Sequence, residues 1–247
     1  MSELISCLCP TFNRATGRLW LVEEAVESFL RQDYPSKELV VCNDTPNQRL
    51  QCDAENVRVL NIPQRFPTLS AKLSFMIQVS RGALLARWDD DDICMPWRLS
   101  YSRERLGDLM EWRAVNHFYC PNNRVESISR NPAGNAHGRA LWRRDVLDLI
   151  GGYPMDASGW EDALFLQALT EHDVDCRAEE IPNDRIYYFY RWGVSDHLSG
   201  KTSDRVGMQE HYDELGCRPC EHGTFDIRPR WKTDYLAMHA EAVGRLT

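Results

Sequence analysis

Two short apolar runs without alternation, Leu4-Ile5-Ser6-Cys7-Leu8-Cys9 and Leu39-Val40-Val41-Cys42, flank a segment in which Trp20, Leu21, Ala25, Val26, Phe29 and Leu30 recur at helical spacing. A strand with one wet face alternates apolar and polar side chains, whereas a continuous run belongs to a strand covered on both faces. Two such strands joined by a helix are parallel, so the feature predicts a βαβ unit and with it an open α/β sheet. Val57-Arg58-Val59-Leu60 reads as a third strand. Residues 69–80 read as a helix with Leu73, Met76 and Ile77 inward, and Ala83-Leu84-Leu85-Ala86 as a fourth strand running into Trp88 and four aspartates. After Pro96 the spacing predicts helix over 99–109, strands over 115–119 and 125–128, and a short helix after Arg144 closed by Gly151-Gly152. A helix over 161–170 and a strand over 186–190 follow. From about residue 204 the chain is polar and reads as irregular, with a final helix near 235–243. The expected architecture is an α/β, Rossmann-like, mostly parallel central sheet flanked by helices. It divides into residues 1–100, 101–203 and a C-terminal extension over 204–247.

At about 150 residues per domain, the 247 residues suffice for one large domain, or for a main domain with an appendage. The apolar runs are far too short to span a membrane, and Met1-Ser2-Glu3-Leu4 opens no basic-then-apolar leader, so a cytoplasmic protein is expected. Nine cysteines, an odd number without framework spacing, read as reduced thiols. A net charge of −8 argues against a protein that coats nucleic acid by bulk electrostatics. Residues 113–144 break that pattern, with Arg113, Arg124, Arg130, Arg139, Arg143 and Arg144 against Glu126 alone. Either an anionic partner lies there or these arginines pair with groups elsewhere in the chain.

In an open α/β sheet ligands sit beyond the carboxyl ends of the strands. Four such ends are polar here: Pro10-Thr11-Phe12-Asn13-Arg14, Asn43-Asp44, Asn61 with Pro63, and Trp88-Asp89-Asp90-Asp91-Asp92. Neither a Gly-x-Gly-x-x-Gly turn nor a Gly-x-x-x-x-Gly-Lys loop follows the first strand, which weakens dinucleotide-cofactor and P-loop readings. Four adjacent aspartates repel one another unless a cation sits among them, and hard oxygen ligands suit Mg²⁺ or Mn²⁺. In an extended segment Asp89 and Asp91 would face one side, Asp90 and Asp92 the other. The competing reading is a solvated acidic loop, or the acidic start of a helix over 93–99.

These segments, with the helical Ala25-Val26-Glu27-Ser28-Phe29-Leu30-Arg31-Gln32-Asp33-Tyr34-Pro35, then Gly151-Gly152-Tyr153 and Gly159-Trp160-Glu161-Asp162, closely resemble glycosyltransferase family 2 of the GT-A fold. The resemblance is tight over residues 4–100 and continues to His197. It implies an inverting, metal-dependent glycosyltransferase with a nucleotide-sugar donor, most often UDP-linked. Pro10, Thr11, Asn13 and Arg14 would line the nucleotide site, and Asp44 would accept a hydrogen bond from the base, which a carboxylate can do toward a uracil imide. Asp89 and Asp90 would contact the ribose or sugar, and Asp91 would bind the metal. Asp162 would be the catalytic base, supported by Glu161, because transfer to an alcohol requires removal of the hydroxyl proton. Acids in a first helical turn are also ordinary dipole-favoured residues. His197 stands where a second metal ligand is expected. Asn43 and Pro46 depart from the family pattern, which commonly has Asp and Ser there.

Lys72, Arg65 and Lys201 are candidate diphosphate contacts. Cys217 and Cys220 with His222, and His211 upstream, have ligand types suited to zinc, or are unmetallated loop residues. Arg228-Pro229-Arg230-Trp231-Lys232 combines cations with an aromatic plane suited to stacking on a base or sugar. The acceptor class expected first is a saccharide or glycolipid hydroxyl. Hydroxymethylated bases of DNA are the alternative that the arginine-rich stretch allows. A nucleotidyltransferase also joins an α/β nucleotide fold to clustered acids, but it calls for a glycine-rich phosphate-gripping loop after the first strand, which Thr11-Phe12-Asn13-Arg14 is not. A non-catalytic nucleotide-sugar binding module is disfavoured by the acidic pair.

Overall fold

A computed structural model describes residues 2–131, 136–155, 158–194 and 205–246. The first half contains β1 (Ile5–Thr11), α1 (Leu19–Leu30), β2 (Lys37–Asn43), β3 (Gln48–Gln51), β4 (Val57–Asn61), α2 (Leu69–Val79), β5 (Leu84–Arg87), β6 (Ile93–Cys94) and α3 (Arg98–Leu106). There follow β7 (Glu111–Ala114), β8 (Asn116–Tyr119), β9 (Ser127–Arg130), α4 (Ala136–Arg139), β10 (Ala140–Arg143), α5 (Val146–Leu149), α6 (Glu161–Glu171), β11 (Cys176–Glu179) and β12 (Tyr188–Tyr190). The chain closes with α7 (Arg205–Gly216), β13 (Gly223–Asp226) and α8 (Tyr235–Leu246).

The main sheet has seven strands in the order β11-β7-β10-β5-β1-β2-β4. Strands β5, β1, β2 and β4 run parallel, as the apolar runs predict. Their side chains divide between two cores. Cys7, Cys9, Leu39, Val41, Leu84 and Ala86 pack on the face of α1, and Leu8, Val40, Cys42 and Leu85 on the face of α2. Burial on both faces is the physical reason these strands do not alternate. Cys7 and Cys42 act as small core residues, their thiols pushed up by burial to about 12 and about 11 respectively. All nine cysteines are free thiols.

Beyond β5 the sheet departs from a repeated βα pattern. β10 enters antiparallel between β5 and β7, and a four-stranded sheet, β6-β12-β8-β9, stands beside the carboxyl end of β5. Neither β10 nor β7 is predicted from the sequence, because each is four residues long and its pairing partners lie far along the chain. The helix predicted over 99–109 spans Arg98–Leu106 and stops where Gly107 takes a positive φ of 49°. The stretch from 204, read as irregular apart from its last helix, is more regular than that. Among its described side chains helix α7 buries Met208, His211 and Tyr212 only, which is why its sequence reads as polar. Strand β13 pairs with β3 in parallel, and α8 docks Tyr235, His239 and Ala242. The boundary expected at 203 falls outside the described residues.

Phe29 of α1 is fully buried and meets Trp88 edge-on, with ring centroids 6.0 Å apart. Trp88 Nε1 donates to the Ala25 carbonyl at 2.9 Å, so the core of α1 holds the residue that precedes the four aspartates. Phe29→Ala is expected to cost about 3–5 kcal/mol by loss of burial and cavity formation, read as a shift of the urea midpoint at constant m-value. A change below about 1 kcal/mol would mean that this site collapses without a cavity.

Candidate active site

The polar strand ends surround a cavity of about 470 Å³, lined among others by Pro10, Thr11, Phe12, Asn13, Arg14, Lys72 and the residues 89–92. It lies between the ends of β1 and β5, where the chain reverses its direction of sheet growth, and its size suits a ligand of several rings. Thr11 is buried, and its hydroxyl has no partner among the described residues. Asn13 takes a positive φ of 54°, tolerable for Asn, and its backbone N–H donates to Thr45 Oγ1 at 2.7 Å.

Asn43 departs from the family pattern for a structural reason. Its amide donates to the Gln48 carbonyl at 2.8 Å and to Asn61 Oδ1 at 3.2 Å, which a carboxylate is unable to do. Asp44 is fully buried, one oxygen 2.6 Å from Lys72 Nζ and the other accepting from the Phe66 N–H at 3.0 Å. Lys72 also donates to the Thr11 carbonyl at 2.7 Å. Lys72 therefore reaches the cavity wall while Asp44 lies behind it, outside the residues that line the cavity.

All four aspartates line the cavity, so the side-to-side alternation expected of an extended segment does not hold. The chain turns at Asp90 and Asp91. Arg14 meets Asp90 at 2.7 and 2.8 Å and Asp91 at 3.0 Å, while the Tyr188 hydroxyl donates to Asp92 and, at 3.3 Å, to Asp89. Burial, followed by repulsion from neighbouring carboxylates, pushes Asp92 up strongly. Burial raises Asp89 too, opposed by Arg87.

Arg87, the last residue of β5, bridges the two acidic motifs: Nε donates to Asp89 at 2.7 Å and Nη1 to Glu161 at 3.1 Å. Asp162 lies beside Glu161 in the first turn of α6, accepting from the Ala163 N–H at 2.8 Å. Burial and the Glu161 charge push its carboxyl up to about 6, against the pull of Arg87. The cavity thus brings together Asp162 and Glu161 with Asp89, Asp90 and Asp91 across more than seventy residues of sequence. His197 and Lys201 lie outside the described residues.

Part of the cavity wall is apolar and cationic. The Arg65 guanidinium carbon lies 4.3 Å from the Phe12 ring centre and 3.8 Å from that of Tyr212, and Leu215, Arg218 and Pro219 complete the wall. The C-terminal contribution is invisible in the sequence pattern. Arg87, His137, Tyr188 and Tyr212 are likewise cavity residues that sequence reasoning does not single out; only Arg87, placed directly before the aspartate run, carries a local signal.

The remaining sequence candidates become structural. Arg113 pairs with Glu111 and Arg130 with Glu180, each at 2.7 Å. Arg143 meets Glu3 at 3.2 Å, and Arg144 caps the carbonyls of Ile77, Ser80 and Gly82. Arg139 is fully buried against the carbonyls of Ala114, Val115 and Asn131. Five of the six arginines are thereby engaged within the chain, and Arg124 is exposed. The Trp231 ring is covered by Arg31 at 4.3 Å and its Nε1 donates to Ser28. Cys217 is exposed and Cys220 Sγ donates to the Pro46 carbonyl at 3.7 Å. Among the described residues no group of three or more His, Cys, Asp or Glu side chains is arranged to cage a metal.

Residues 6–147, more than half of the chain, match the model of the family described as Glycosyl transferase family 2. Similar solved structures include residues 1–349 of S. aureus TarS in complex with UDP-GlcNAc, at 15% identity and a TM-score of 0.61, covering 86% of this chain and 65% of that one. Another is the mannosyltransferase PcManGT from Pyrobaculum calidifontis in complex with GDP-Man and Mn²⁺, at 15% identity and a TM-score of 0.54, covering 77% of this chain and 57% of that one. The chain spans under two thirds of the length of either, and at such identities the likeness is one of fold. No curated protein sequence matches the chain.

Proposed function

The chain belongs to glycosyl transferase family 2, and from that premise we propose that it transfers a sugar, with inversion, from a UDP-linked donor to an acceptor hydroxyl. The carrying observation is Asp162, a carboxyl held near 6, in one cavity with the acidic run at the strand ends. A base poised just below neutrality is deprotonated at working pH yet basic enough to take a hydroxyl proton. Glu161 and Arg87 set its electrostatics. Phe12, Arg65 and Tyr212 form the wall suited to a base, and the TarS complex with UDP-GlcNAc supports the UDP preference. Asp44 then acts on the donor through Lys72, whose ammonium it orients; both are needed in that role.

The donor set fits a divalent cation. Asp91 and Asp89 supply hard oxygens, and their mutual repulsion is the kind a cation relieves. Mg²⁺ or Mn²⁺ bound beside substrate phosphates needs only one or two protein carboxylates, in keeping with the lack of a three-residue cage among the described residues. Bound there, the ion would neutralise charge on the departing diphosphate. The PcManGT complex with Mn²⁺ supports this reading. Asp91→Ala and chelator are each expected to lower nucleotide release from the donor by at least about 10²-fold. Full turnover of the wild type in excess chelator would contradict the metal assignment.

Saccharide or glycolipid acceptors are favoured over modified DNA, because the arginines of 113–144 are mostly engaged within the chain. No helix of the described residues is long and apolar enough to cross a membrane. Family membership favours glycosyl over nucleotidyl transfer. Salt-sensitive DNA binding would reopen the DNA reading.

A further inference from the structure

Four buried polar atoms of cavity-lining residues have no partner among the described residues: Oγ1 of Thr11, Nε of Arg65, Nε2 of His137 and Oε2 of Glu161. His137 and Glu161 are each only 5% exposed. An unpaired buried polar atom is costly, and their gathering at one cavity marks a place where a ligand completes the pairing; His137 and Glu161 are the two buried beside Asp162 and the aspartate run. His137 is firmly held. Its ring meets Phe165 edge-on at 5.0 Å and Tyr153 at 5.9 Å, and Nδ1 lies 3.3 Å from the Tyr153 hydroxyl. The next residue, Gly138, is pressed onto Tyr188: a Cβ there would sit 2.4 Å from the hydroxyl that holds Asp89 and Asp92. His137 is thereby fixed in the cavity wall next to the residue packed on the Tyr188 hydroxyl. Burial, with Arg87 and Arg113 nearby, holds its imidazole down at about 3, so the ring is neutral.

We propose that His137 and Glu161 read the hydroxyls of the transferred sugar, and that this sugar is a neutral, hydroxyl-rich pyranose rather than a uronic acid. The inference rests on the glycosyl-transfer reading above. A hydroxyl can donate to Glu161 Oε2, and it can donate to or accept from His137 Nε2 whichever tautomer the Tyr153 contact selects. A sugar carboxylate beside His137 would instead meet Glu161 and Asp162, with Arg87 already shared between Asp89 and Glu161 and a neutral imidazole offering no charge.

The test compares wild type, His137→Phe and His137→Gln. UDP affinity with Mn²⁺ is measured by calorimetry, and donor KM by UDP release from UDP-glucose, UDP-galactose and UDP-glucuronic acid. His137→Phe keeps the aromatic packing and removes Nε2. It should raise donor KM by about 10-fold with UDP affinity within about twofold, and His137→Gln, whose amide reaches the Nε2 position, should recover to within about threefold. UDP-glucuronic acid should fall at least about 10-fold below the better neutral donor in kcat/KM. An unchanged donor KM in His137→Phe, an equal loss of UDP affinity, or preference for the uronic acid would each overturn the proposal. Wild-type protein that binds no UDP overturns the UDP-donor reading itself, and calorimetry shows this before any variant is compared.

Discussion

Asp162→Asn lowers kcat by about 10²–10⁴-fold with UDP affinity within about twofold, since an amide keeps the shape of the side chain but takes no proton. The expectation extends to pH. Burial and the Glu161 charge hold the Asp162 carboxyl up at about 6, and a base works only when deprotonated. Wild-type kcat therefore rises as pH increases through about 6 and levels above it. The residual rate of the Asn variant lacks that limb. Initial rates of nucleotide release across the acidic to neutral range provide the measurement. A variant retaining more than about a tenth of wild-type kcat would remove Asp162 from the base role, since general base catalysis is worth far more than that.

The second large effect is on stability. Arg191→Met is expected to destabilise the protein by about 3–5 kcal/mol, which for a chain of this size is a fall of about 6–20 °C in Tm. Arg191 is fully buried, with Nη1 2.5 Å from Glu24 Oε2 and 2.9 Å from the Tyr235 hydroxyl, and its backbone N–H donates to Asp92 at 2.7 Å. Glu24 is itself buried, so removing the guanidinium leaves its carboxylate without a countercharge, while the backbone N–H to Asp92 remains. Arg191 Nε also donates to the Asp91 carbonyl at 2.5 Å. The same substitution therefore loosens the proposed metal-binding loop. Arg191→Lys restores charge but not the planar fork, and should recover only part of the loss. Thermal unfolding followed by circular dichroism is the check. A Tm within about 2 °C of wild type would show that water replaces Arg191 at little cost.

Much of this architecture is written locally. Strands β1, β2 and β5 are continuous apolar runs because both faces of the sheet are covered, and α1 between the first two dictates a parallel pair. The rule that ligands lie beyond carboxyl strand ends then marks Thr11, Asn13 and residues 89–92 as cavity residues before any coordinates. The acidic pair Glu161 and Asp162 stands out from family likeness, and the structure brings both to the same cavity.

Other features had no local signature. The six arginines of 113–144 allow a basic face, yet five of them find partners within the chain, among them Glu3, Glu180 and backbone carbonyls as far away as Ile77, contacts that exist only once the chain has folded. Asp44 is expected to accept a hydrogen bond from the base, but it pairs with Lys72, 28 positions on, and lies outside the residues that line the cavity. Tyr212 comes from a helix whose polar sequence hides a single buried stripe.

The linear chain alone determined the parallel sheet, the crevice and the acids at its rim, because burial on two faces and strand-end polarity are properties of neighbouring residues. Tertiary structure alone decided which charges are spent inside the fold and which, like Asp162, are left poised, because charge compensation depends on distances between residues that the sequence keeps far apart.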